Sequence, residues 1–391
     1  TLRRCVQCII ANEKYCAHYE MRMFRTVSTV SGGDADLTLA CVDYGTWCRR
    51  IQASGLSRSW DILFPPEVLY RSDSAFEVGS DLVFGLVYTG NDVAGAYILA
   101  MRGSDCCLVD VRSREDADQA WCDVLFQHWH DHAVAAGAAS MTGPVGAFAF
   151  ITDGVPVGPP DVESVHIAQY PRILVDGFRQ HGYVHAWSGT VWGRRGASGT
   201  SARSMKGASP SVRRETWMTI IPTLRTLESV LSTSFATLPW HRGSGADLSS
   251  LARRFMLVGH PSLMITGSAD GKPAGAILMY RDISSVPERV HRLPSMMRDL
   301  WLFFAARRSR LVHVSLIGIV PERRSSRLSA DLFDAAAAVL NQAQRVTTSW
   351  IRDDNMASKM MSKRAGLEPL EQRCVFRKHL PTLSINYGER E

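Results

Sequence analysis

The sequence predicts an α/β (α+β) chain built from two tandem copies of one unit, each a mixed, mostly antiparallel sheet flanked by helices. Three observations predict it. Leu311 to Leu367 alternates strand and helix patterns with clear punctuation. Ala274-Gly275-Ala276 follows a turn in the second half of the chain as Ala94-Gly95-Ala96 follows an equivalent turn in the first. Residues 193–211 (GRRGASGTSARSMKGASPS) hold almost no large apolar side chain and cannot build a core, so they divide the chain. The expected organisation is an extension over 1–30, a first unit over 31–192, a linker over 193–211 and a second unit over 212–391.

In the first unit, Leu82 to Tyr88 and Val93 to Met101 form a hairpin around Thr89-Gly90-Asn91-Asp92, residues that tolerate positive φ. Cys106 to Val111 is a third strand. Asp116 to Ala136 is a helix with acids at its positive end and Gly137 just past its last turn. Ala138 to Thr142 is a strand closed by Gly143-Pro144, Pro171 to His181 a helix ended by Gly182, and Tyr183 to Trp192 the final strand. The Gly/Pro-rich loop from Gly143 to Pro160 reads either as the lining of an acceptor pocket, with Phe148 and Phe150 as wall and Asp153 as polar group, or as a covering flap.

In the second unit, Glu215 to Phe235 and Ala246 to Val258 read as helices, and Ser262 to Gly267 and Pro273 to Tyr280 as strands. Leu311 to Val320 is an apolar, β-branched run that Pro321 closes, because proline cannot donate to a ladder. Leu328 to Leu340 carries apolar residues at helical spacing. Val346 to Ile351 is a strand, and Asn355 to Ala365 a helix ended by Gly366. Between the Leu311 strand and its helix stands Arg323-Arg324-Ser325-Ser326-Arg327-Leu328. A cationic loop feeding the unsatisfied N–H groups of a helix start is suited to an anion.

Composition narrows the class. Hydrophobic residues make up 46% and charged ones 21%, ordinary for a globular chain. No apolar run reaches the roughly 18 to 20 residues of a membrane span, and the first residues lack a basic segment with a long apolar core, so a cytoplasmic protein without a membrane is expected. Nine Cys at irregular spacing favour reduced thiols. Cys5-x-x-Cys8 with Cys16 and His18 invites zinc, but Cys16-x-His18 is not the common second ligand pair, and no metal is expected. The net charge of +6 is carried mainly by Arg, which suits phosphate or carboxylate partners. A long basic run with interleaved aromatics is missing, which argues against nucleic acid.

Ile319-Val320-Pro321 with Arg324, followed by Trp350-Ile351, Asn355 and Gly366, resembles the V-x-P-x-x-R turn and N-x-x-A…G segment of the GNAT superfamily of N-acyltransferases. Gly143-Pro144 and Asp153-Gly154 to Gly158-Pro159-Pro160 resemble markers of its two-domain subgroup. The resemblance implies transfer of an acyl group from acyl-CoA, or from acyl-phosphopantetheine on an acyl carrier protein, to an amine of a small molecule. It implies that pantetheine pairs with the strand ending Ile317-Gly318-Ile319-Val320, that the pyrophosphate lies over the following turn, and that Asn355 is among the cofactor-binding residues. Ser325 and Arg327 stand where that turn carries glycines. A left-handed Arg327 would cost roughly 1 to 2 kcal/mol, against on the order of 1.5 to 3 kcal/mol for one arginine–phosphate hydrogen bond. Ser362 stands where the family places an acidic Tyr. Asp282, just past the Pro273 to Tyr280 strand, and His313 are candidates for the base, and Ser362 for the proton donor. A non-catalytic binding protein that has lost the donor site is the alternative.

Overall fold

The computed structural model describes residues 27–30, 37–56, 61, 82–145, 154–158, 164, 167, 170–196, 211–216, 219, 223, 230, 233, 257–283, 286–324 and 326–381. Phe148, Phe150, Asp153, Ser325 and the Cys5 to His18 segment lie outside them, as does most of the expected helix pair between Glu215 and Val258.

The first half runs β1 (Val27–Val30), β2 (Leu37–Val42), α1 (Tyr44–Ala53), β3 (Leu82–Thr89), β4 (Asp92–Arg102), β5 (Asp105–Ser113), α2 (Gln119–Ala135), β6 (Ser140–Gly143), β7 (Val155–Pro156), α3 (Ile173–Gln180) and β8 (Val184–Arg195). The second runs β9 (Val212–Arg214), β10 (Met264–Ala269), β11 (Lys272–Arg281), α4 (Glu288–His291), α5 (Ser295–Arg308), β12 (Leu311–Ile319), α6 (Arg327–Leu340), β13 (Arg345–Thr348), β14 (Ile351–Arg352), α7 (Met356–Arg364) and β15 (Glu368–His379). The first strand therefore begins inside the stretch read as an extension, and Val346 to Ile351 is two short strands instead of one. Helix ends follow local chemistry. Asp118 accepts from Trp121 N at the start of α2, and Gly137, Gly182 and Gly366 close α2, α3 and α7 with φ of 67°, 75° and 70°.

The strands form one sheet in the order β1-β2-β3-β4-β5-β6-β15-β8-β13-β12-β11-β10-β9. The halves exchange their last strands: β15 lies between β6 and β8, and β8 between β15 and β13. The stretch 193–211 read as a linker therefore begins inside β8, whose Gly193, Arg194 and Arg195 pair with β13, while residues 197–210 lie outside the described ones; the two halves are joined in the sheet by strands that cross from one to the other.

The repeat has a packing cause. A Cβ on Gly95 would come within 2.2 Å of Trp121 Nε1 on α2, and a Cβ on Gly275 within 2.7 Å of Leu332 Cδ1 on α6. In each copy the long helix presses on the strand where a side chain is missing, and this is what the Ala-Gly-Ala echo records. The copies also share a β-bulge. Leu99 pairs with Leu108 and Ile98 with Asp110, leaving Val109 extra, while Met279 pairs with Val314 and Leu278 with Leu316, leaving Ser315 extra. They differ after β11. Where the first half turns through Gly103-Ser104, the second inserts α4 and α5, and Leu302 and Ala306 of α5 are buried in the core cluster that spans both halves.

Candidate active site

β12 and β13 are parallel and pair only from Leu311 with Arg345 to Val314 with Thr348. Ser349 N then donates to Val314 O at 2.9 Å, and the chain leaves β12 to pair through β14 with β8. Beyond the bulge at Ser315, β12 keeps β11 on one side and has no strand on the other among the described residues. Two parallel strands that part in this way leave a wedge edged by backbone N–H and C=O groups, a place for an extended amide-bearing ligand. Ile317, Gly318 and Ile319 lie on that open stretch, with Val320 just beyond it.

A polar chain meets the apex of the wedge. His313 and Thr347 are register partners whose side chains meet at 3.0 Å between Nδ1 and Oγ1. Thr347 Oγ1 donates to Asp282 Oδ2 at 3.1 Å, and His313 Nε2 lies 3.1 Å from Ser349 Oγ. Asp282 Oδ1 accepts from Ser164 Oγ at 2.9 Å and from Ile283 N at 2.8 Å, so the first half of the chain also holds the carboxylate. His313, Thr347, Ser164 and Asp282 are buried, while Ser349 is half-buried. Burial pushes the Asp282 carboxyl up to about 6, although the hydrogen bonds and the field of Arg345 oppose that rise.

With His313 neutral and Asp282 ionised, counting hydrogens gives the chain its directions. The Thr347 hydroxyl has one, which it gives to the Asp282 carboxylate, so it accepts from His313 Nδ1–H. Nε2 is then bare and accepts from Ser349 O–H. Each hydroxyl or N–H thus points from Ser349 inward to Asp282.

The first half lacks this chain. Its strands β5 and β6 part at the same point, with Val145 N donating to Leu108 O at 2.9 Å, but the residues matching His313 and Ser349 are Cys107 and Val145. Past its bulge lies a buried ion cluster. Arg112 contacts Asp61 at 2.6 Å and Asp110 at 2.8 Å, both through its guanidinium nitrogens. Burial alone would lower the Arg112 pKa, and the two carboxylates more than offset it, so the guanidinium stays charged.

The cationic turn of the second half is a 3₁₀ turn, Pro321–Arg323, leading into α6. Arg327 is the first residue of α6 with helical backbone, so the cost of a left-handed arginine does not arise. Part of the turn's hydrogen-bonding capacity is already used. Arg323 N and Ser326 N donate to Val320 O and Arg323 O. The Arg323 guanidinium pairs with Asp270 at 2.5 Å, Arg324 Nε donates to Ile319 O at 3.2 Å, and Arg327 lies exposed, 3.8 Å from Asp331. Leu328 is buried in the second core cluster, so only its backbone can serve a ligand.

Asn355 caps α7, its Oδ1 accepting from Ser358 N at 3.1 Å. Because β12 and β13 are parallel, α6 and α7 both begin at the edge of the sheet where the wedge opens. Ser362 is the buried residue of α7, in the second turn from that edge. The structure brings Asp282 and His313 together and leaves Ser362 apart from them. Thr347, Ser349 and Ser164 escaped the sequence reading, although Thr347 and Ser349, two apart, match the polar side of His313 on the neighbouring strand.

No protein-family model matches the sequence, and no curated protein matches it significantly. Solved structures do match in fold. A GCN5-related N-acetyltransferase from Sphaerobacter thermophilus aligns over 88% of this chain and 95% of its own, with 10% identity and a TM-score of 0.50. A tandem GNAT protein from the clavulanic acid biosynthesis pathway aligns over 88% and 98%, with 13% identity and a TM-score of 0.52. A glucosamine N-acetyltransferase region of a fungal multi-domain β-N-acetylglucosaminidase aligns over 88% of this chain and 38% of that one, with 12% identity and a TM-score of 0.51. With its two copies, shared bulges and parting strands, this chain has the tandem GNAT fold.

Proposed function

We propose that the chain is an N-acyltransferase in which the wedge of the second half binds a pantetheine thioester and passes its acyl group to an amine of a small molecule. The observation that carries this reading is the contrast between the halves. The same parting of strands ends in a hydrogen-bonded Asp-Thr-His-Ser chain in one copy and in Cys107, Val145 and a buried ion cluster in the other. Transfer needs a neutral amine held against the carbonyl, and positioning alone can supply roughly 7 to 11 kcal/mol in the best intramolecular models. Backbone donors on the open stretch of β12 can align the pantetheine amides. The start of α6 and Arg324 can take the phosphate, one charge-assisted hydrogen bond contributing on the order of 1.5 to 3 kcal/mol.

The donor is acyl-CoA or an acyl carrier protein. The exposed Arg327 and the basic Lys363 and Arg364 of α7 suit the acidic carrier, and the likeness to a protein of the clavulanic acid pathway supports a role in specialised metabolism. Asp270 beside Arg323 favours the competing reading, a GNAT-like binding protein without donor chemistry, because a carboxylate opposes phosphate. Turnover assays with acyl-CoAs and with acylated carrier protein against a panel of amines decide between them. Release of free thiol with amide formation supports the transferase, and the more efficient donor names its type. A protein that binds neither donor and forms no amide is the non-catalytic one.

A further inference from the structure

From the direction of the hydrogen bonds we infer that Ser349, His313, Thr347 and Asp282 form a proton relay, with Ser349 Oγ as the group that touches the acceptor amine and His313 Nε2 as the base behind it. This rests on the acyltransferase reading and assigns the amine's place within it.

Geometry selects this arrangement. Of the four residues, only Ser349 is half-exposed, and its own N–H ties it to Val314 O at the point where β12 and β13 part. His313 is buried, and the half-exposed Ser349 hydroxyl beside its Nε2 offers a substrate a path to it. Imidazole is the side chain whose ordinary titration falls near neutrality. Among the described residues, the groups around it include Tyr280 opposite on β11, Asp282 through Thr347, Arg345 from β13, which acts on Asp282, and Ser349 itself. Thr347 and Asp282 are positioning residues: they hold Nδ1 protonated and so keep Nε2 bare.

In the reaction the C–N bond forms and the C–S bond breaks. A proton of the attacking nitrogen passes to Ser349 Oγ while the hydrogen already on Ser349 passes to His313 Nε2. The thiolate leaves and takes a proton from water, and the imidazolium returns its proton to solvent by the reverse path. No atom of Ser349 joins the acyl group.

The test uses the full chain with acetyl-CoA, acylated carrier protein and a panel of primary amines, comparing wild type with Ser349→Ala, Thr347→Val and Asp282→Asn. Ser349→Ala is expected to lower kcat by about 100-fold, the smaller end of general-base effects, with the KM for acetyl-CoA unchanged within twofold. The acidic limb of the kcat/KM profile is expected to move to lower pH in Asp282→Asn and Thr347→Val, because each weakens the support for the imidazolium. Full activity in Ser349→Ala with the wild-type profile in the other two overturns the relay and leaves the transferase reading standing. An acetyl adduct on Ser349 by intact mass also overturns it, since the hydroxyl would then be a nucleophile. Absence of amide formation by the wild type with every donor and amine sinks both.

Discussion

His313 and Asp282 are joined through a single hydroxyl, Thr347 Oγ1 lying 3.0 Å from the imidazole Nδ1 and 3.1 Å from the carboxylate Oδ2. Strand register makes the join. His313 faces Thr347 across the parallel pair of β12 and β13, and Asp282 follows β11, the neighbour of β12 on the other side. Three consecutive strands of the sheet each contribute one group, and Ser164 anchors the far side from the other half of the chain.

A stability signature follows from Asp282. Its folded-state pKa of about 6 exceeds the 3.8 of a free carboxyl. Between those values the folded protein keeps a proton that the unfolded chain has released, so stability falls as pH rises from about 4 to about 6. Wild type should lose on the order of 3 kcal/mol relative to Asp282→Asn across that window, as about two pKa units imply. Urea unfolding of both proteins from pH 4 to 7 checks this, and a constant difference would contradict it.

The glycines beneath the long helices should differ in tolerance. At Gly95 a Cβ meets the Trp121 ring at 2.2 Å and the Arg112 carbonyl at 2.8 Å, neither of which can yield easily. At Gly275 it meets the end of the Leu332 side chain at 2.7 Å, which can rotate. Gly95→Ala should cost at least about 3 kcal/mol and Gly275→Ala nearer 1 kcal/mol, the range of overpacked cores. Denaturant midpoints settle the order.

The buried cluster of the first half should matter for folding and not for donor binding. Asp61→Ala removes two hydrogen bonds to the buried Arg112 guanidinium while Asp110 keeps its charge paired, and should cost about 1 to 3 kcal/mol. Donor affinity of the folded fraction, measured by calorimetry, should stay within twofold of wild type. A large loss of affinity would move the donor site to the first half.

Asp270 restrains Arg323 at the cationic turn. Asp270→Asn should tighten acetyl-CoA binding severalfold, about 1 kcal/mol for an exposed charge, and the gain should fade in high salt. Weaker binding would show that the pair holds the turn in shape and does not compete with the ligand.

Much of this fold was legible because each element announces itself locally. The hairpin around Gly90-Asn91, the helix stop at Gly366 and the strand closed by Pro321 need no distant partner, and the Ala-Gly-Ala echo exposed the repeat. Helix α5 was not legible: Met296, Leu300 and Phe304 are exposed while Leu302 and Ala306 are buried, so its apolar residues mark no single face. The exchange of β8 and β15 leaves no trace in local pattern, since either strand would alternate alike in either place. At the site, His313 and Asp282 stood out as polar groups beside apolar strands. Thr347 and Ser349 did not, because Thr and Ser are ordinary strand and turn residues until the register of β12 and β13 places them next to an imidazole. Arg327 ran the other way: its place where the resembling turn carries a glycine implied strain, and the chain enters α6 there in helical backbone.

Hydrogen–deuterium exchange with and without saturating acetyl-CoA or acylated carrier protein tests whether the second half's wedge receives the thioester. Exchange should slow in peptides covering Ser315 to Leu328 and Ser349 to Lys359, with Leu108 to Ser113 unchanged. Protection confined to the Leu108 to Ser113 stretch, or no protection anywhere with either donor, would contradict it.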